Sequence, residues 1–456
     1  MNKESIALGQ ICTRIISGGT PLTSNKDYYD NGTIPWLKTK EINQNRIYNA
    51  ENYITENGLV NSSAKLIPKN SVIIAMYGDG KTAGRVAINK IPVATNQACC
   101  NLIINSDLAH YEFVFYKLMS MYEELVLKKT GSGQQNLNLK IIKDIEINLP
   151  PLSQQKAIAN ILSGLDEKIN LNNQTNETLE SIAQAIFKSW FIDFDPVRAK
   201  IQAKQDGKNP ELAAMSVISG KSEDELQKMT AEDFAELQAT AALFPDELVE
   251  SELGEVPRGW ELQSLYDTAE FVNGTAFKAK DFSSNTEGLP IIKIAELKQG
   301  ISAQTKYTNS SFDKKYQVSS GDIFYSWSGS PETSLDVFKW FGGDGWLNQH
   351  IFKINTKNKG QTYFVYYLLK YLKPTLIRLA TNKQTTGLGH ITVANMKQLQ
   401  VIKPEEHLFL SYAKIIAPIY EKESLLKQES IDLALLRDTL LPKLLSGEVD
   451  STLLKD

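Results

Sequence analysis

The sequence is poor in cysteine and histidine and has no long apolar run. Its three cysteines, Cys12, Cys99 and Cys100, form neither a disulfide framework nor a CxxC pair, which is typical of a protein kept in a reducing compartment. Four histidines occur, without an HExxH motif or a Cys/His cluster, so we predict no bound metal. There is no stretch of 18 apolar residues and no signal-peptide pattern, so we expect a cytoplasmic protein without a membrane partner.

Motifs of nucleotide and methyl-transfer chemistry are missing or incomplete. There is no GxGxxG pattern, no Asn-Pro-Pro-Tyr-type sequence and no arguable Ser/His/Asp order. One segment ends in Gly80-Lys81-Thr82 and satisfies the relaxed phosphate-loop pattern. A phosphate loop needs a helix next, so that N–H groups and a helix dipole face the phosphates, but residues 83–92 are short and β-like. We therefore predict neither a catalytic site nor a cofactor, and a nucleotide-hydrolysing enzyme remains an alternative.

A heptad pattern runs between Pro150 and Pro196. Its positions alternate steps of four and three residues: Ile158, Leu162, Leu165, Ile169, Asn172, Asn176, Leu179, Ala183, Ile186 and Trp190. The pattern predicts one helix of roughly 40 residues, about 60 Å long, with Ser153 as its N-cap and Pro196 as its stop. Adding 254 to each position gives a second series, in which seven of ten positions are apolar. We predict that the two helices pack as an antiparallel coiled coil, with Asn172 and Asn176 setting its register.

The segments ahead of these two helices resemble each other. At offsets of 251 to 255 the following pairs keep their order: Gly19-Thr20 with Gly274-Thr275, Ile34–Lys38 with Leu289–Lys293, Glu41 with Glu296, Asn96-Gln97 with Asn348-Gln349, and Phe113–Tyr116 with Phe364–Tyr367. Such an internal repeat indicates one scaffold that carries two different surfaces. Short β-like runs, turn clusters and a helical run over residues 111–127 predict an α+β fold for each copy.

Composition divides the chain into five segments: 1–150, 151–196, 197–256, 257–404 and 405–456. The first and fourth are the repeated domains, with net charges of +3 and +7, although the whole chain carries −4. The second and fifth contain the long helices, the fifth with a C-terminal tail. The third is an acidic connector with a net charge of −7, predicted to be mobile or loosely helical. Two basic, differently decorated domains at a fixed spacing suit double-stranded DNA with a split, asymmetric site.

The loops of the repeated domains carry side chains suited to DNA. Asn and Gln pair with adenine, and Lys and Arg bind guanine or phosphate. The candidate DNA-binding residues of the first domain are Thr20, Lys38, Tyr77, Lys81, Arg85, Ser132, Gln134, Gln135 and Asn136. Those of the second domain are Thr275, Lys293, Ser328, Lys383, Gln384, Thr385, Thr386 and His390. Asn96 and Asn348 also lie in loops, but a structural role better explains a residue kept in both copies.

Several segments together resemble the DNA-specificity (S) subunits of type I restriction–modification enzymes. They are Ser17–Pro21 with Ile34–Trp36, Leu149–Gln155, Phe187–Pro196, Leu253–Trp260 and Arg437–Gly447. The resemblance covers nearly the whole chain, and its departures lie in the second domain, where 272–276 lacks a proline and 403–406 lacks a di-proline. It implies two target-recognition domains, each binding half of a split DNA site, and two helices that serve as spacer and docking platform.

The same resemblance implies partners. Methylation (M) subunits, expected as a pair, bind the S subunit and use S-adenosylmethionine, while restriction (R) subunits supply an ATP-driven motor and nuclease. The chain itself would be the non-catalytic specificity subunit of a multisubunit DNA adenine methyltransferase and endonuclease. The candidate partner-binding residues are Ile158, Leu162, Leu165, Phe187, Trp190, Leu440 and Leu444. A stand-alone sequence-specific DNA-binding regulator is the alternative, and it would need no docking platform.

Overall fold

The computed structural model describes residues 4–43, 45–78, 82–129, 136–382 and 389–449. The strands of the first repeated domain are β1 (Glu4–Ala7), β2 (Cys12–Ser17), β3 (Ile34–Leu37), β4 (Asn45–Ile47), β5 (Tyr53–Ile54), β6 (Val72–Ala75), β7 (Val86–Asn89), β8 (Ala94–Thr95), β9 (Cys99–Ile104) and β10 (Glu146–Leu149). Its helices are α1 (Leu8–Ile11), α2 (Glu56–Val60), α3 (Tyr111–Ser120), α4 (Tyr122–Leu127) and α5 (Leu139–Lys143).

Long helices and a connector frame the second domain. The first long helix is α6 (Leu152–Phe191), and the connector contains α7 (Asp195–Gln205), α8 (Pro210–Ser219), α9 (Glu223–Leu226), α10 (Ala231–Ala242), β11 (Leu248–Ser251) and β12 (Gly254–Pro257). The strands that follow are β13 (Glu261–Ser264), β14 (Glu270–Asn273), β15 (Leu289–Ile292), β16 (Tyr307–Thr308), β17 (Gln317–Val318), β18 (Ile323–Ser326), β19 (Ser328–Gly329), β20 (Asp336–Lys339), β21 (Gly345–Leu347), β22 (Ile351–Asn355), β23 (Gly389–His390) and β24 (Gln400–Lys403). The helices are α11 (Ile294–Gln299), α12 (Pro331–Ser334), α13 (Lys359–Thr381), α14 (Val393–Gln398) and the second long helix, α15 (Glu406–Ser446).

The chain forms two compact units, and each long helix contributes to both. Unit 1 comprises Met1–Leu171 and Ser430–Asp456, and unit 2 comprises Asn172–Glu429. Unit 1 therefore contains the first repeated domain with the beginning of α6 and the end of α15. Unit 2 contains the connector and the second domain with the remaining parts of both helices.

In unit 1 a five-stranded sheet has the order β2-β9-β6-β7-β4, antiparallel except for the parallel pair β7 and β4. Successive residues of a strand face opposite sides of the sheet. Val72 and Ile74 of β6 accordingly pack in one core cluster with Phe113 of α3, whereas Ile73 and Ala75 belong to another. All four residues of β6 are buried, which explains why this strand is apolar throughout.

The second domain repeats this architecture within unit 2. Its sheet has the order β14-β22-β18-β20, antiparallel throughout, which matches β2-β9-β6-β7 of the first domain. Each domain also contains a short parallel pair, β3 with β8 and β15 with β21. The outer strands pair alike, β1 with β10 and β13 with β24. The prediction of two repeated α+β domains, each followed by a long helix, is confirmed.

Helices α6 and α15 pack in opposite directions. In unit 2, Asn172 Nδ2 donates to Glu429 Oε2 at 2.8 Å, and Asn176 Nδ2 donates to a backbone oxygen of α15 at 3.2 Å. Later in α6, the ring of Trp190 lies 5.7 Å from that of Tyr412, near the start of α15. Residues later in α6 thus contact residues earlier in α15. The predicted antiparallel pairing is confirmed, and both seam asparagines contact the facing helix.

A buried ion network joins β4, α3 and both long helices in unit 1. Arg46 donates to Glu112 at 2.5 Å and to Asp166 at 2.6 Å, and Arg437 donates to Asp166 at 2.7 Å. The Tyr116 hydroxyl donates to Asp166 at 2.5 Å. Burial opposes ionisation of Asp166, but Arg46, Tyr116 and Arg437 outweigh it, so that the pKa of this carboxyl lies below its usual value. The network holds the first domain against the helices within the unit.

The acidic connector is folded and not loosely helical. Helix α8 packs against α7 and α10, and Val197, Phe244 and Val256 join the core of unit 2. Lys200 is 3% exposed and donates to Glu211 Oε1 and to the Phe244 carbonyl, each at 2.8 Å, so its buried charge is compensated. The acidic side chains lie on the outer faces of these helices. The few buried residues that anchor the helices are spread over the sequence.

The ends of α6 differ from the prediction. The helix begins at Leu152, and the N–H groups of Gln154 and Gln155 donate to the Pro151 carbonyl at 2.9 and 3.0 Å, so Ser153 lies inside the first turn and is not the N-cap. Pro196 does not stop α6, which ends at Phe191. It lies in the first turn of α7, a position that proline tolerates because its missing N–H would have no partner there.

Candidate DNA-binding surfaces

Lys38 and Lys293 occupy the same place in the two domains. Each directly follows its strand, β3 or β15, and caps the short helical turn behind it. The Lys38 N–H donates to Glu41 Oε2 at 2.8 Å, and the Lys293 N–H donates to Glu296 Oε2 at 3.0 Å. Each ammonium also lies over an aromatic ring of its own domain, 5.2 and 5.6 Å from the ring centre. This shared cap explains why glutamate is repeated at positions 41 and 296, whereas the lysines contribute only their backbone N–H to it.

Glycine is required where β2 and β14 end. An added Cβ would lie 2.1 Å from a backbone oxygen at Gly18 and 2.0 Å from one at Gly274, so no larger residue fits. These two glycines are therefore equivalent, and the sequence-based match of Gly19 with Gly274 is wrong by one residue. The N–H groups of Gly19 and Thr275 donate alike to the last carbonyls of β8 and β21, at 2.8 and 3.0 Å. Thr275 thus corresponds to Gly19 and not to Thr20.

The loops after β8 and β21 begin with asparagine in both domains. The Asn96 N–H donates to the last carbonyl of β3 at 2.9 Å, and the Asn348 N–H donates to that of β15 at 3.0 Å. Asn96 Oδ1 also accepts from the Ala98 N–H at 3.2 Å. The Asn96 side chain thus has a structural role, whereas the contact of Asn348 is made by its backbone N–H. The next residue, Gln97, is exposed and accepts a hydrogen bond from the Thr20 hydroxyl.

In unit 1 the end of β6 pairs with the segment before α5. The Leu137 N–H donates to the Met76 carbonyl at 2.9 Å, which brings Tyr77 and Asn136, the residues flanking that pair, to the same edge of the domain. The Tyr77 side chain is half-buried. Burial raises the pKa of Tyr77 above its ordinary value, so the phenol stays protonated and can donate a hydrogen bond.

In unit 2 the equivalent segments also meet. The Ile391 N–H donates to the Trp327 carbonyl at 2.9 Å, and Ser328 faces His390 in the β19–β23 pair. Ser328 is 7% exposed, whereas the His390 side chain is exposed to solvent. Tyr77 thus corresponds to Ser328, and Asn136 to His390.

Around Trp327 the structure assembles five polar and aromatic side chains, which we name the Trp327 cluster: Asn273, Trp327, Gln349, His350 and His390. Trp327 Nε1 donates to Asn273 Oδ1 at 3.0 Å. The Trp327 ring lies 5.5 Å from the His350 ring and 6.0 Å from the His390 ring. Gln349 Nε2 lies 3.0 Å from His350 Nε2. Sequence reasoning missed Asn273, Trp327 and His350 as site residues, although His350 directly follows the repeated Asn-Gln pair.

The charge state of His350 follows from these contacts. Burial lowers the pKa of its imidazole below the ordinary value, and the nearby His390 lowers it further. The Gln349 Nε2 group can only donate, so His350 Nε2 accepts, and this assignment leaves the proton of the neutral ring on Nδ1. His350 Nδ1 is itself buried without a hydrogen-bond partner among the described residues.

The first domain places different side chains at the same five positions. Strand register and backbone hydrogen bonds align the Trp327 cluster with residues that carry neither an imidazole nor an indole: Ser17, Met76, Gln97, Ala98 and Asn136. Gln97 and Gln349 alone are identical. The two domains therefore present different chemistry from one backbone arrangement.

Of the other sequence-predicted residues, Arg85 donates to Asn43 Oδ1, so part of its guanidinium is already engaged within the domain. Lys38 donates to Asn52 Oδ1 at 3.2 Å. The remaining candidates lie outside the described residues: Lys81, Ser132, Gln134, Gln135, Lys383, Gln384, Thr385 and Thr386.

The family described as "Type I restriction modification DNA specificity domain" matches residues 2–181 and 257–428. This chain belongs to that family. It is 31% identical over 363 residues to the type I restriction enzyme HindI specificity subunit of Haemophilus influenzae, covering 76% of this chain and 79% of that protein. It is 26% identical over 447 residues to the MjaIX specificity subunit of Methanocaldococcus jannaschii, covering 95% and 91%. The predicted resemblance is confirmed.

A solved structure shares the fold of this family member. The type I restriction–modification S subunit from M. genitalium superposes with a TM-score of 0.53 at 16% sequence identity, covering 97% of this chain and 95% of that one. The two matched segments of the family coincide with the two repeated domains and the beginnings of the long helices that follow them.

The predicted partner-binding side chains pack inside this chain. Five of the seven are at most 2% exposed: Ile158, Leu162, Phe187, Trp190 and Leu444. Leu165 and Leu440 are half-buried. Six of the seven, all except Leu165, pack in the chain's own cores, and their role as partner contacts stays a prediction. The long helices do present exposed apolar side chains, among them Leu171, Leu425 and Leu435 at 56%, 67% and 68% exposure.

Within the described part of the chain, no group of three or more His, Cys, Asp or Glu side chains could hold a metal ion. The helices described there include none that is long and apolar enough to cross a membrane.

Proposed function

We propose that this chain selects the DNA sequence for a type I restriction–modification complex, with each repeated domain binding one half of a split, asymmetric site. One observation carries the proposal: a duplicated backbone holds different side chains at equivalent strand ends, the Trp327 cluster in one copy and Ser17, Met76, Gln97, Ala98 and Asn136 in the other. Two unlike surfaces suit two unlike half-sites.

Charge supports DNA as the ligand of these domains. Residues 1–150 carry a net charge of +3 and residues 257–404 carry +7, whereas the connector carries −7. This separation favours binding of a polyanion by the two domains over binding by the connector. The candidate contacts are the loop residues named above, joined by Asn273, Trp327, Gln349 and His350.

The wider complex follows from the family. We infer that residues 151–196 and 405–456 separate the two DNA-binding domains and dock a pair of methylation subunits, whose S-adenosylmethionine chemistry the chain would direct without catalysing it. Restriction subunits would join the same complex in the cytoplasm. The exposed leucines on α6 and α15 are the contacts that we propose for these subunits.

Two experiments test the function. Co-purification of the chain with its neighbouring methylation subunit, followed by sequencing of methylated adenines in host DNA, should give a discontinuous, asymmetric motif that vanishes when the chain is deleted. Exchange of residues 1–150 for the equivalent domain of a relative should change one half of that motif only. If no complex forms and no methylation is lost, the chain acts as a stand-alone DNA-binding regulator. A change in both halves would contradict independent recognition.

A further inference from the structure

Two of the four histidines of the chain meet at one place. His350 and His390 flank the Trp327 ring from different elements, one before β22 and the other at the end of β23. His390 is exposed, whereas His350 is half-buried and its Nδ1 atom is enclosed, so His390 is the imidazole that a ligand can reach directly. The first domain has Ala98 and Asn136 at these two positions, and neither side chain titrates.

We propose that proton uptake by the His350–His390 pair strengthens binding of the second domain to its half of the DNA site, so that only one half-site is bound in a pH-dependent manner. The proposal rests on the proposed function and extends it to a property of one domain. A histidine is the side chain whose charge changes near neutral pH, and a cationic imidazole can donate from both nitrogens to phosphate or base acceptors.

The contact with Gln349 links the charge of His350 to the groups shown to DNA. In the neutral state, Gln349 Nε2 donates to His350 Nε2 at 3.0 Å. A protonated ring would bring two donors together, so the amide must turn and offer its oxygen to the imidazolium. The Gln349 NH₂ group then points away from the ring and is free to donate to a base or phosphate. Protonation of His350 thus frees the Gln349 amide as a donor to DNA.

The charged surroundings favour this switch once DNA is present. Among the described residues, His390 is the titratable group that acts on His350, and it disfavours protonation of that ring. Helix α12 packs beside β19 and carries Glu332, and helix α13 packs beside β23 and carries Arg378. Neither residue shifts the pKa of His350. Without DNA the neutral form of His350 is therefore favoured, and DNA phosphates would supply the missing negative charge.

The direction of the effect follows from linkage. A group whose pKa is higher in the complex than in the free chain takes up a proton on binding, so affinity rises as the pH falls towards the free pKa. The increase is at most about tenfold per pH unit for each proton taken up.

The test uses the full-length chain with its methylation subunits and the duplex that carries the methylated motif. Dissociation constants are measured from pH 8 to pH 5.5 for duplexes with one or the other half scrambled. The dissociation constant should depend on pH only for the duplex that keeps the half-site bound by the second domain. This dependence should vanish in the double variant His350→Gln/His390→Gln. The control His110→Gln/His407→Gln removes the other two histidines and should keep the full dependence. Equal pH dependence of the two half-sites, or a dependence that survives the first variant, would overturn the proposal.

A second measurement needs no variant. Selective isotope labelling of histidine gives four imidazole signals, whose pKa values can be followed with and without the duplex. Those of His350 and His390 should rise on binding, and those of His110 and His407 should stay unchanged. Specific binding without such a rise refutes the inference and leaves the proposed function intact, whereas absence of any methylated motif refutes the function itself.

Discussion

Replacing Asp166 by asparagine should loosen the first domain from the long helices in unit 1. The Asp166 carboxylate accepts from Arg46 at 2.6 Å and from Arg437 at 2.7 Å, and the Arg46 side chain is 7% exposed. Asparagine preserves the shape but leaves two guanidinium groups facing each other without their shared anion. Removing one member of a buried ion pair costs about 3–5 kcal/mol, and since Arg46 keeps Glu112 we expect about 3 kcal/mol.

The pH dependence of this loss is fixed by the lowered pKa of Asp166. A carboxyl whose pKa is lower in the folded than in the unfolded state makes its full contribution to the free energy of unfolding above its unfolded pKa of 3.8. That contribution disappears as the pH falls through the pKa of the folded state. The difference in free energy of unfolding between wild type and Asp166→Asn should therefore be constant from pH 8 to pH 5. It should shrink only in stronger acid.

Amide hydrogen exchange measures this effect within one unit. About 3 kcal/mol corresponds to roughly 100-fold faster exchange of the most protected amides in β4 and α3. The exposed Asp107 provides a matched control, because Asp107→Asn removes the same charge from the same unit without a buried partner and should change stability by less than about 0.5 kcal/mol. If Asp166→Asn exchanges like Asp107→Asn, the network does not hold the domain. Combining Asp166→Asn with Arg437→Gln should cost less than the sum of the two changes.

Two further predictions concern backbone fit and a second buried pair. Gly18→Ala and Gly274→Ala should each destabilise their own unit, since Cβ would approach a backbone oxygen within 2.1 Å, whereas Gly164→Ala in open space should stabilise by about 1 kcal/mol in thermal unfolding. Lys339→Met should lower the melting temperature more at pH 8 than at pH 5. It leaves Glu423 buried without its partner at 2.6 Å, and burial already raises the pKa of that carboxyl, so protonation relieves the loss at low pH. Equal losses at both pH values would contradict this reasoning.

The long helices could be predicted closely because the seam itself reflects burial. Heptad positions such as Ile158 and Leu162 are those that the structure buries, and the period of an apolar pattern is a local property of the sequence. The ends were less accessible, since proline both stops helices and begins them, and Pro196 does the second. Packing of the connector depends on distant residues such as Phe244, which no local pattern reveals.

The candidate site was predictable only in part, because strand register decides which loop residues meet. The repeat located the Gln97 and Gln349 loops correctly but shifted the match of Gly19 by one residue, since Gly18 and Gly19 are adjacent and either can be aligned with Gly274. Trp327 and His350 come together through the pairing of β18 with β22. They are separated by 22 intervening residues, and no spacing rule joins them.

A duplicated domain separates folding from recognition within one chain. At several positions a residue that both copies keep serves the backbone. Glycine allows the close approach at the ends of β2 and β14, the Lys-Glu cap follows β3 and β15, and asparagine begins the loops after β8 and β21. Where the copies differ at equivalent strand ends, as at Ala98 and His350, the backbone hydrogen bonds persist and only the exposed chemistry changes. Identity at these positions therefore marks what the scaffold requires, and difference marks what each half-site requires. The identical pair Gln97 and Gln349 is an exception, since Gln349 remains a candidate DNA contact. By this criterion Asn136 and His390 are stronger candidates for base recognition than Lys38 and Lys293, which serve both copies alike.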